Sequence, residues 1–153
     1  MNNLINIVPN PDPLPVAAGW FQFLSHLTYY LHLISVGIMF SLAISMAVGY
    51  FKGKSDENWL SFGKEMGHLL PFTIAFAVNL GVAPLLFIQV LYGNFFYTAS
   101  TLIGTNWILL IVILILGYYG AYWISFRESG KPGAKRFLSL FVSLVLAWTG
   151  FIL

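Results

Sequence analysis

Three histidines, His26, His32 and His68, are the side chains of this sequence with the most chemistry to offer. An imidazole in an apolar stretch can ligate haem iron, hydrogen-bond a quinone, or donate to a neighbouring helix. Beside them stand the amides of Asn79 and Gln89 and the soft thioethers of Met39 and Met46. No Lys, Arg, Asp or Glu occurs in residues 20–51, 68–92, 107–126 or 137–153. Proton pumps, ion-coupled transporters and hydrolases need a buried acid, base or counter-ion in such segments, so the pattern argues against all three. Cysteine is absent, which excludes disulfides, iron–sulfur ligation and covalent haem attachment through thioethers.

The spacing of the histidines limits what they can do together. His26 and His32 are six residues apart, on a helix a rise of ~9 Å and a rotation of about 240° beyond one turn. Two axial nitrogens on one iron lie about 4 Å apart on opposite faces of the ring and come from facing elements. This pair cannot share an iron. His68 opens the second apolar segment, while His32 lies 19 residues before Phe51, which ends the first. On antiparallel helices those two are up to ~28 Å apart along the membrane normal. A haem held here therefore needs a methionine, or a histidine from a partner. His26 and His68 fall near opposite interfaces, where water and headgroups suit them. His32 is deeper: either it contacts a cofactor, or it makes a helix–helix hydrogen bond worth ~0.6–2 kcal/mol. Tyr29, His32, Val36 and Met39 share one helical face, so a site there is part polar and part soft. Asn79 and Gln89 read as interhelical hydrogen-bonding groups, and Gly37, Ala43 and Gly49 as points of close helix contact.

The elements that must position these groups are transmembrane helices. The chain is 59% hydrophobic and 8% charged, against roughly 45–50% and 25% in a soluble domain. An extended arm rich in proline, residues 1–19, precedes a single domain over 20–153 with four predicted spans: 20–51, 68–92, 107–126 and 137–153. Between the first two lies a polar connector, in which Ser55, Asp56, Glu57 and Asn58 can cap a short surface helix. Pro84 predicts a bend in the second span, and the carbonyl it frees must find a partner. Residues 93–104 read as an aromatic elbow with a turn of helix at the interface, and 127–136 as a tight basic loop. The fourth span has 17 residues, the lower limit for crossing. All seven basic residues (Lys52, Lys54, Lys64, Arg127, Lys131, Lys135 and Arg136) fall in two connectors on one side. The positive-inside rule then puts both termini and the elbow outside the cytoplasm. The expected fold class is an all-α membrane protein, a four-helix antiparallel bundle with N-out and C-out termini.

One stretch carries a remote family resemblance. Residues 81–93, GVAPLLFIQVLYG, resemble a motif in subunit I of cytochrome bd-type quinol oxidases, in which Gly-Val-Ala leads to a carboxylate and a closing glycine. Upstream, FQFLSHLTYYLHLISVGIMFSLAI resembles that family's first span, whose histidine is a haem ligand, and SFGKEMGHLLPFTIAFAV resembles its first cytoplasmic loop and second span. The likeness covers about residues 20–105. The family histidine maps to His32 or, less well, His26, and the second-span carboxylate falls on Gln89. No acid stands where the family's third span carries its carboxylates, so oxygen reduction is not expected of this chain alone.

The resemblance implies an integral subunit of a respiratory electron-transfer complex in a bacterial cytoplasmic membrane, contacting haem b or quinone shared with a partner subunit. His32, His26, Gln89 and Met39 are the candidate cofactor contacts, with His32 the candidate iron ligand. Expected partners are the bilayer, other membrane subunits and a cytochrome c-type or other extracytoplasmic protein; no nucleic acid is expected. The rival reading is a cofactor-free membrane anchor that docks a partner protein.

Overall fold

Four helices make up the described residues, 16–126 and 132–152, of the computed structural model: α1 (Ala18–Lys52), α2 (Glu57–Leu102), α3 (Gly104–Phe126) and α4 (Pro132–Ile152). The all-helical class is as expected, and α1, α2 and α3 are each long and apolar enough to cross a membrane. Most of the expected arm and part of the basic loop lie outside the described residues.

The boundaries differ from the sequence reading in four places, each for a local reason. The surface helix expected in the first connector does not stand alone. Asp56 caps α2 itself, its carboxylate accepting from the Asn58 N–H at 2.8 Å, and the helix then runs unbroken into the span. The elbow is likewise helical: α2 continues to Leu102, and α3 starts at Gly104 rather than at Trp107. Within α2 the backbone leaves helical dihedrals at Tyr92 (φ −135°, ψ 39°) and not at Pro84. Finally, Pro132 opens α4 instead of turning a loop. A proline at the first helical position gives up an N–H that would have had no partner anyway. That makes α4 21 residues long, with Lys135 and Arg136 on its early turns.

The helices form a ring in which each packs on two neighbours, α1 on α2 and α4, and α3 on α2 and α4. Contacts pair Gly49 with Gly63, Met46 with Gly67, His32 with Gly81, and Phe21 with Phe87. As one number falls the other rises, so α1 and α2 are antiparallel. The core is knit from Met39, Ala43, Met46 and Tyr50 of α1, with Leu70, Ile74 and Ala77 of α2. Ala121 and Ile124 of α3 and Val142 and Leu146 of α4 complete it. These residues recur at spacings of three and four, the stripe by which one helical face stays on its neighbours. The core sits toward the end of the bundle that carries the connectors.

Small residues set how closely the helices approach. A β-carbon on Gly49 would lie 2.6 Å from the Gly63 nitrogen and 2.9 Å from the Trp59 carbonyl, so only glycine fits. Gly63 returns the contact, since a β-carbon there would lie 2.9 Å from the Tyr50 nitrogen, while Gly53, just past α1, backs onto Leu60, and Gly67 onto Met46. Gly117 and Gly120 serve the same end against Leu146 and Val142 of α4. Gly37 does not, since a β-carbon there would meet nothing within 4 Å, so the close contact expected at it is absent.

Candidate functional site

Three side chains reach across the bundle to a backbone carbonyl of another helix, each at a small residue. His32 Nδ1 lies 2.8 Å from the Ala77 carbonyl, joining α1 to α2. Ser125 Oγ lies 2.5 Å from the Gly67 carbonyl, joining α3 to α2. Ser143 Oγ lies 2.7 Å from the Ala43 carbonyl, joining α4 to α1. Lys135 Nζ adds a longer contact, 3.4 Å, to the Ile124 carbonyl at the end of α3. Among the described residues each of the four seams in the ring therefore holds at least one polar cross-link.

Why these carbonyls can accept is clearest at Gly67. Pro71, four residues on, has no N–H to give it, and the Ser125 hydroxyl stands there instead, its one proton shared with the Ala121 carbonyl at 2.7 Å. The sequence reading looked for such a partner at Pro84 and passed over Pro71. The spacing Gly67–Pro71 was the available signal; which hydroxyl would meet it was not readable from one segment.

His32 is half-buried on the α1–α2 seam with its ring pressed against Gly81, where a β-carbon would lie 2.8 Å from Cε1. A carbonyl can only accept, so Nδ1 carries the proton. In the neutral ring Nε2 then keeps a lone pair, the form that ligates a metal or accepts from a hydroxyl. Nε2 is not among the sealed, unpartnered nitrogens of the described bundle, which are Trp107 Nε1 and Arg136 Nε.

The other candidates do not gather around it. Met39 is 3% exposed in the core, seven residues and ~10 Å along α1 from His32. Tyr29, placed on the same face by sequence, is 49% exposed. His26 is exposed and bonds the Gln22 carbonyl of its own helix at 2.7 Å. His68, also exposed, meets the Phe126 ring edge-on. Neither amide links two helices as expected. Asn79 donates to Ala75 one turn back at 2.8 Å. Gln89 donates to the Tyr97 hydroxyl, clasping the two arms of α2 across the irregular Tyr92.

Among the described residues no second histidine faces His32. The Ala77 carbonyl orients the His32 ring through Nδ1, as a carbonyl usually does for a ligand histidine. Among the described residues no group of three or more His, Cys, Asp or Glu side chains could hold a metal ion. The chain matches no protein-family model, no curated protein and no solved structure.

Proposed function

We propose that this protein is an integral membrane subunit of a respiratory electron-transfer complex, contacting haem or quinone at the α1–α2 seam through His32. The observation that carries the reading is the His32 hydrogen bond: with the Ala77 carbonyl accepting from Nδ1–H, the neutral ring keeps its lone pair on Nε2. One ligand from this chain calls for its counterpart from a neighbouring subunit. In this reading α4 is a fourth crossing. Its inward side is Ser139, Val142, Ser143 and Leu146, while Phe137, Leu140, Phe141, Leu144 and Trp148 face out. Polar side chains inward and apolar ones outward suit a helix with lipid or protein around it. The clustering of the basic residues in two connectors supports a bacterial cytoplasmic membrane with both termini outside the cytoplasm.

The test is a pyridine haemochrome assay of the purified chain and of its native complex for haem content, with the native absorption spectrum then compared between wild type and two variants. With His32 as a ligand, His32→Ala and His32→Gln both bleach or shift the Soret band. An unchanged Soret band in both variants removes the ligand role.

A second reading, a cofactor-free anchor that docks a partner protein, is favoured by one specific observation. The His32 bond is of the same kind as those of Ser125 and Ser143, so it suffices as a structural cross-link. Under it His32→Gln is close to silent, and only His32→Ala loses stability, by about 1 kcal/mol.

A further inference from the structure

Asn79 sets an amide in an unusual place. It stands eleven residues from His68 and thirteen from Tyr92, in the middle of the uncharged run of α2, and it is exposed. Its Nδ2 donates to the Ala75 carbonyl, and among the described residues nothing donates to its Oδ1. The amide therefore keeps one N–H and its acceptor for a group outside this chain. At mid-bilayer no water fills either role, and an unmet amide there is costly.

The surface around Asn79 is patterned. Phe72, Ala75, Asn79, Val82 and Leu86 follow one another at spacings of three, four, three and four. That repeat keeps one face of a helix on a partner helix in a left-handed pair. The stripe is not the one used inside the bundle. There α1 and α3 pack on Gly63, Gly67 and Gly81, whereas Phe72, Val82 and Leu86 are exposed. Beside the stripe a groove of about 400 Å³ opens between α2 and α3, with Ala75 and Asn79 on one wall and Ile111, Ile115 and Tyr119 on the other. A helix seated on the stripe finds a second wall there.

We infer that a second copy of this chain seats its α2 on this stripe, the two Asn79 amides bonding each other at mid-membrane. Three features select a second copy over another occupant. Copies inserted in the same direction hold Asn79 at the same depth, so the residue meets itself with no shift of register. An amide both donates and accepts, so an identical amide satisfies it. A lone Asn within a three–four apolar seam is also the device that fixes register and partner number in parallel coiled coils. The interface is isologous, about a twofold axis along the membrane normal, and closes at two copies. A lipid chain covers the apolar residues of the stripe but brings no donor to Oδ1. The inference goes beyond the proposed function: it involves neither His32 nor the side of the membrane on which the termini lie.

The experiment uses the full chain, which has no cysteine of its own. Single cysteines are placed at Val82, on the stripe, and at Ile44, exposed on α1. Each variant is reconstituted in phosphatidylcholine vesicles at low density and treated with a lipid-soluble oxidant. Val82→Cys is expected to give a disulfide-linked dimer, and Ile44→Cys to remain monomeric. The dimer fraction of tagged wild type is then followed against dilution in the bilayer by single-molecule photobleaching. Asn79→Leu should weaken the dimer about tenfold, or ~1.4 kcal/mol, the range of an interhelical polar pair. Asn79→Gln keeps an amide and should recover most of that loss. Cross-linking equal at the two positions, or absent from both, overturns the inference. So does a dimer as strong in Asn79→Leu as in the wild type. A wild type that stays monomeric at every density leaves the stripe to lipid. In native membranes, linkage of Val82→Cys only to a protein of different mass assigns the stripe to a foreign subunit, and either outcome overturns the second copy. Should Asn79→Leu fail to fold, the two cysteine variants decide alone, since neither alters the amide.

Discussion

Pro71 deprives the Gly67 carbonyl of its usual helical donor, and the hydroxyl of Ser125 stands 2.5 Å from it. In an apolar surround an unpaired carbonyl is costly, so this one bond is worth more than an exposed hydroxyl contact of the same length. Ser125→Ala should therefore destabilise the protein by about 1–2 kcal/mol, read as a lower unfolding midpoint in detergent. The sharper prediction couples the two residues. In a Pro71→Ala background an N–H is restored at position 71, Gly67 regains its own helix's donor, and Ser125→Ala should cost less than half as much. Strict additivity of the two substitutions would show that the proline and the serine are unrelated. Half of this arrangement is legible in a single segment, because a proline names the orphaned carbonyl by its position four residues back. The other half needs α3 beside α2. The same limit explains Asn79 and Gln89: an amide in an apolar segment announces that it needs a partner, but not that a carbonyl of its own helix or the Tyr97 hydroxyl will serve.

At the scale of elements, the pair α1–α2 is held by contacts that tolerate no side chain at Gly49 and Gly63. Gly63→Leu should drive the two backbones apart and cost several kcal/mol, with the protein lost to aggregation or an unfolding midpoint well below that of the wild type. Gly37→Ala is the matched control. It meets open space inside the same helix, so it should be neutral or stabilise by up to about 1 kcal/mol. If the two substitutions behave alike, close approach is not what holds the pair. The four helices themselves were readable, since long uncharged runs at helical length leave few alternatives. Their ends were less so. A polar connector reads as a loop until its aspartate is seen to cap the following helix, and Pro132 with Gly133 reads as a turn although the proline equally suits a helix start. The Tyr92 irregularity was the least visible of all: the residues near it suggest an elbow, but the clasp from Gln89 to Tyr97 keeps both arms helical. Tyr97→Phe removes that clasp and should speed hydrogen exchange over residues 93–102 relative to the rest of α2. Unchanged exchange there would mean that packing alone holds the second arm.

On α4 the serines turn inward and the large apolar side chains outward. Ser139 is 0% exposed while Phe137, two residues away, is 75% exposed, the reverse of a helix on a soluble protein. Phe72 and Phe76 of α2 and Ile108 of α3 are also turned outward, so an apolar environment, lipid or a partner subunit, must cover much of the surface. The buried core lies toward the connector end, and α1 and α2 run on past it, ~52 Å and ~69 Å long for 35 and 46 residues. Both exceed the ~30 Å of a hydrocarbon layer, so their ends must lie in the interfaces or beyond. The proposed direction of the bundle rests on charge. Lys52, Lys54 and Lys64 lie at the α1–α2 connection, Lys135 and Arg136 start α4, and the stretch from the end of α2 into α3 carries no basic residue. Moving the connector side across an energised membrane would carry several cations against the potential, at ~2.3 kcal/mol per charge for every 100 mV. Retaining it in the cytoplasm avoids that cost and leaves the uncharged α2–α3 turn outside. A single cysteine at Asn94 should accordingly react with a membrane-impermeant maleimide in intact cells, and a single cysteine at Ser55 should react only after the membrane is opened. Both positions are exposed, so a failure to label reports the side of the membrane rather than burial. Reaction at Ser55 but not at Asn94 in intact cells would reverse the orientation.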